Sequence, residues 1–139
     1  MYGHISVWGV LLGAISAMVV GMLWYSPMLF GKEWSKITGV TDKVMKAKRN
    51  AVMPVLVLIS LVTAYALSLF IVYFHYFSGC SWFVSGIDTS LIAGVGFGAT
   101  AVFAHGVFEP RDTKLLYINA GNRIVTLLIM GMIIAAFLK

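Results

Sequence analysis

The chain has 139 residues, of which 60% are apolar and 11% charged, with a mean hydropathy of +0.95 and a net charge of +5. A soluble domain carries about 25% charged residues, because a small globule has to cover most of its outside with polar groups. So few charges exclude a water-exposed surface of the usual kind and point to lipid as the solvent, with one domain expected over residues 1–139.

A bilayer core is ~30 Å thick, so a helix needs ~20 apolar residues to cross it. Four stretches qualify, at about residues 5–25, 51–77, 89–108 and 115–138. They are apolar on nearly every face, whereas membrane strands alternate apolar and polar residues over ~10 positions. The expected fold is therefore all-α: an integral membrane four-helix bundle.

The first stretch has no Lys or Arg before it, as a secretion leader would, so it reads as a retained helix. Gly9, Gly13, Ala17 and Gly21 recur every four residues along it. Such a strip lets another backbone approach closely, either within the subunit or in a homo-oligomer.

Ser26-Pro27 should end this helix, because a residue before proline avoids helical geometry. Phe30, Trp34 and Ile37 then recur at helical spacing with Lys32, Glu33 and Lys36 between them. This predicts a short amphipathic helix on the cytoplasmic membrane face. Gly39 is placed to end it, and Thr41 or Asp42 to cap the next. That next helix is expected to run on through Pro54 with a kink. Lys43, Lys46, Lys48 and Arg49 lie beside the membrane, where they match anionic headgroups rather than nucleic acid.

The second connection, Ser78–Asp88, holds no Lys or Arg. His4, His75, Cys80 and Asp88 fall on this side, but without metal-ligand spacing, so neither metal nor cofactor is predicted. Cys80 has no second cysteine to pair with in the chain. In the third stretch, Gly94 and Gly98 form another close-approach pair, with Gly96 and Ala101 nearby; Gly131 and Ala135 do the same in the fourth. The run Gly94–Gly98 echoes a dinucleotide loop, but it lies inside a span with no strand before it, and helix packing is the better account.

Asn119, Asn122, Arg123 and Thr126 share one face of the fourth stretch, at offsets of three, four and seven. Polar groups at such depth usually face a bundle interior. Arg123 lies ~12 Å beyond Leu115 along a helix and leans toward the cytoplasmic end. There an antiparallel hairpin would bring it near His105 and Glu109. Two uses fit: a polar pocket for an ion, proton or anionic group, or a buried Arg123–Glu109 pair that fixes helix packing.

The basic residues sort the connections. The first holds Lys32, Lys36, Lys43, Lys46, Lys48 and Arg49, and the third holds Arg111 and Lys114, against Lys139 alone on the other side. Lys and Arg favour the cytoplasm, so both termini are expected outside. Tyr2, Trp8, Tyr73, Tyr76 and Trp82 would mark the outer rim, and Trp24, Tyr25, Trp34 and Tyr117 the inner one.

Two strings, GMLWYSPMLFGKEW at Gly21–Trp34 and FEPRDTKLLYINAG at Phe108–Gly121, together resemble the bacterial membrane family catalogued as domain of unknown function 1761. The matching positions are Trp24, Tyr25, Pro27, Phe30, Gly31, Lys32, Trp34, Phe108, Glu109, Asn119 and Gly121; Arg123 is not among them. The resemblance implies four membrane helices in a bacterial inner membrane and implies no activity. No catalytic pattern is present: no phosphate loop, and no nucleophile with a base at familiar spacing. The expected function is binding or permeation of a small solute or ion by a homo-oligomer. The competing expectation is a structural or accessory subunit that stabilises a partner or the bilayer.

Overall fold

The computed structural model describes residues 5–108 and 112–138. Its helices follow one another as α1 (Val7–Trp24), α2 (Gly31–Thr38), α3 (Asp42–Ser78) and α4 (Trp82–Leu91); a π-helical segment (Ile92–Ala99) then leads into α5 (Thr100–Val107), and α6 (Thr113–Ala136) follows. The third long helix thus comprises α4, the π-helical segment and α5. Among the described residues, four helices are long and apolar enough to cross a membrane: Val7–Trp24, Asp42–Ser78, Trp82–Val107 and Thr113–Ala136. The chain is a multi-pass membrane protein built as an all-α bundle, with the short α2 beside it.

Capping explains most of the boundaries. Ser6 accepts the Gly9 N–H at 3.2 Å and opens α1. Gly39 ends α2 with φ +71°, a left-handed conformation that costs glycine little. Thr41 caps α3, whose helix runs through Pro54 without a break. Gly79, at φ +69°, closes α3. Ser81 then caps α4, accepting from the Val84 N–H.

The third long helix begins at Trp82, not at Thr89 where hydropathy alone would place it. Ser85, Asp88, Thr89 and Ser90 lower the local hydropathy and read as a connection. Three of them, Ser85, Thr89 and Ser90, are buried against neighbouring helices instead. The connection shrinks to Gly79–Ser81.

At 37 residues, α3 is about 55 Å long and exceeds the bilayer core. Its first turns, residues 42–50, are exposed throughout and carry Lys43, Lys46, Lys48 and Arg49. The opposite half supplies the core: Ala64, Leu67, Ile71 and Val72 pack with Ala14, Met130, Ile134 and Leu138.

Helix α6 is the hub and touches every other element. Glycines set these approaches. A Cβ on Gly13 would sit 3.0 Å from Ile134 Cγ1, and one on Gly9 would sit 3.2 Å from Phe137 Cβ. This part of the α1 strip is therefore used inside the subunit. Gly21 meets nothing within 4 Å. On the other side of α6, Gly86, Ser90, Gly94 and Gly98 form a second strip at intervals of four. Cβ atoms on Gly94 and Gly98 would lie 3.1 Å from Ile124 Cα and 3.2 Å from Arg123 Cβ. Both glycines lie in the π-helical segment, where Gly94, Gly96 and Gly98 weaken the ordinary α-helical preference.

Aromatic side chains gather at both ends of the bundle. Trp24, Phe30, Tyr25 and Trp34 cluster near α2, and Phe103 packs on Tyr117 at the same end. His75, Tyr76 and Trp82 cluster at the α3–α4 turn.

Candidate functional site

The corner between α1, α2 and α6 is built by a tight return of the chain. After Trp24, the Phe30 N–H donates back to the Trp24 carbonyl at 3.0 Å, and the Gly31 N–H donates to the Ser26 carbonyl at 2.9 Å. A side chain at position 31 would run into the carbonyls of Tyr25 and Ser26, so only glycine lets α2 start here. The return holds the start of α2 against the end of α1 and beside α6. Trp24 packs on Phe30 with ring centroids 4.7 Å apart, and Tyr25 meets Trp34 edge-on at 5.5 Å.

The same two residues clamp α6. The Trp24 indole N–H donates to the Ile118 carbonyl at 3.0 Å, and the Tyr25 hydroxyl donates to Asn119 Oδ1 at 2.9 Å. The Trp24 ring lies over Gly121, where a Cβ would come within 3.0 Å of it. Residues 94 apart in sequence are thereby joined, and each belongs to one of the two strings singled out above. Aromatic donors meeting a bare stretch of helix account for the Trp, Tyr, Asn and Gly at these positions.

Outside the clamp, Lys114 Nζ donates to Glu33 Oε2 at 2.8 Å. This hydrogen bond and the Lys114 charge hold the Glu33 carboxyl below its ordinary value. Both side chains are well exposed, so the bridge orients α2 more than it stabilises the fold. An open groove of about 840 Å³ lies beside it, lined in part by Trp34, Lys36, Asp112 and Leu115.

The polar face of α6 continues inward from Asn119. Arg123 is exposed, lies beside Gly98, and stands close enough for its charge to bear on the Tyr25 phenol. Asn122 Nδ2 and Thr126 Oγ1 are buried and have no hydrogen-bond partner among the described residues. His105 is exposed on α5. Glu109, expected as the partner of Arg123, lies outside the described residues. Asn119 thus joins a bonded cluster with Trp24 and Tyr25, while Arg123 sits on an accessible surface instead of in a sealed interior.

Sequence reasoning missed the hydroxyls of Ser68, Ser85 and Thr89, which are buried in the bundle. A signal for two of them was present. Trp82, Ser85 and Thr89 follow offsets of three and seven, a helical face inside what reads as a connection.

A family model described as a protein of unknown function, DUF1761, matches residues 8–135. No curated protein and no solved structure matches the chain. The match covers nearly the whole sequence, and the chain belongs to this family.

Proposed function

We propose that this family member binds an anionic group, in the first instance a lipid phosphate headgroup, at the α1–α2–α6 corner. The observation that carries the reading is the surplus of donors there. Asn119 Oδ1 is taken by Tyr25, which leaves its amide N–H groups to donate outward. Asn122 Nδ2 has no acceptor among the described residues, and Arg123 carries only donors. Donors in excess within a span favour a phosphate or carboxylate acceptor. Binding is preferred over permeation because the other half of the bundle is closed by packed glycines and serines.

The test compares lipid nanodiscs of phosphatidylcholine with and without phosphatidylglycerol. The anionic lipid is expected to raise the unfolding temperature of the wild type. Arg123→Gln should lose most of that rise, and Lys46→Gln, one of four juxtamembrane cations, only a small part of it. If Arg123→Gln responds like the wild type, the binding reading is wrong. The structural alternative pairs Arg123 with Glu109. It predicts that Arg123→Met and Glu109→Gln each destabilise and that the double variant recovers part of the loss. Such recovery, with no response to anionic lipid, would make the residues a packing device of an accessory subunit.

The reading places the protein in the cytoplasmic membrane with both termini outside and the Lys43–Arg49 run against anionic headgroups. A reporter that works only in the cytoplasm, fused after Lys139, should be silent; an active fusion inverts the topology. Assembly as a homo-oligomer is part of the proposal, since Gly21 of the α1 strip is open to a second copy. Native mass spectrometry from the same nanodiscs would remove it by giving monomer alone.

A further inference from the structure

We infer that the seam between α3 and α4 is a binding site for internal water, held by the hydroxyls of Ser68, Ser85 and Thr89. Ser68 and Ser85 are 0% exposed and Thr89 is 7% exposed. None of the three side-chain oxygens has a hydrogen-bond partner among the described residues.

A hydroxyl in a helix has an easy remedy, since it can donate to a carbonyl of its own preceding turn. This chain uses that remedy repeatedly. Ser90 donates to the Gly86 carbonyl at 2.6 Å, Thr63 to Ile59 at 2.8 Å, Thr100 to Gly96 at 2.6 Å and Ser16 to Gly13 at 2.7 Å. Ser68, Ser85 and Thr89 are turned away from it.

Their placement shows where they turn. His75 of α3 stacks on Trp82 of α4 with ring centroids 3.5 Å apart, which sets the antiparallel register of the two helices. Ser68 and Thr89 each lie seven residues from that stack, so they stand at the same depth. Ser85 lies between, and His75 Nδ1 is a further buried atom without a partner among the described residues. The polar atoms therefore form a line from the end of the bundle inward.

Lipid offers such groups no partner, and a buried hydroxyl left unsatisfied destabilises the fold. A water molecule needs two to four polar partners, and hydroxyls from facing helices supply them as both donors and acceptors. The line ends about 10 Å below Trp82 at 1.5 Å per residue. It is a blind site and does not cross the bundle.

The test removes the hydroxyls with the smallest available change in side-chain volume. Ser68→Ala and Thr89→Val should each lower the unfolding temperature in detergent, and the double variant should lose clearly less than the sum, because one bridging water serves both. X-ray radiolytic labelling, in which bound water generates the oxidant, should mark buried Val72 in the wild type, and Ser68→Ala/Ser85→Ala/Thr89→Val should abolish the mark. Unchanged or raised unfolding temperatures, or an unlabelled Val72 in the wild type, would show the seam to be dry and overturn the assignment. A stabilisation by sodium over choline that Ser85→Ala removes would replace water by a cation and equally overturn it.

Discussion

Gly131→Ala is expected to destabilise the bundle by about 2–3 kcal/mol, the usual range for overpacking a tight core. The added methyl would fall onto Ser90 Oγ and lie within 2.9 Å of the Gly86 carbonyl. Ser90 cannot simply swing aside, because its hydroxyl is bound to that same carbonyl at 2.6 Å. Gly86 is hemmed in reciprocally, since its Cβ would sit 2.6 Å from Ala135 Cβ and 2.9 Å from the Gly131 carbonyl. Gly96 is the control. It meets nothing within 4 Å, so Gly96→Ala should be neutral or gain up to ~1 kcal/mol from the lost glycine entropy. Thermal unfolding in detergent, followed by helical circular dichroism, checks the pair. Equal unfolding temperatures for the two variants would mean that α4 and α6 do not touch at Gly131.

Trp24→Ala should have an effect of the same order, about 3 kcal/mol. It empties the space over Gly121 and removes the donor to the Ile118 carbonyl. Tyr25→Phe tests the neighbouring bond more finely. It keeps the ring against Trp34 and deletes only the hydroxyl that donates to Asn119, so the expected loss is about 1 kcal/mol. Asn119→Ala combined with Tyr25→Phe should cost less than the two single losses added together. Strict additivity in unfolding titrations would show that the phenol and the amide are not partners. Trp24→Ala should also free α2, which limited proteolysis between Ser26 and Gly39 can detect.

The spans, the amphipathic α2 and its end at Gly39 are all legible in the sequence, because each rests on local chemistry. Apolar length decides whether a helix crosses the bilayer, the spacing of Phe30, Trp34 and Ile37 marks a helix with one wet face, and a bare Cα at Gly39 accepts the left-handed turn. The two strings that meet at the α1–α2–α6 corner are visible as strings, but nothing local says that Trp24 reaches Ile118 or that Tyr25 reaches Asn119. Arg123 shows the limit most clearly. Its face of α6 can be read from offsets of three and four, yet whether that face looks into a pocket or onto an open surface depends on how far the neighbouring helices splay. In water, hydropathy would separate inside from outside. In lipid it does not, because the surrounding tails are as apolar as a packed leucine. Rotation about each helix axis is then set by small-residue contacts such as Gly86, Ser90 and Gly131, and these emerge only when the helices are brought together. The same holds for the early start at Trp82: Ser85 and Thr89 look like connection residues until α3 is laid against them and their hydroxyls are found inside.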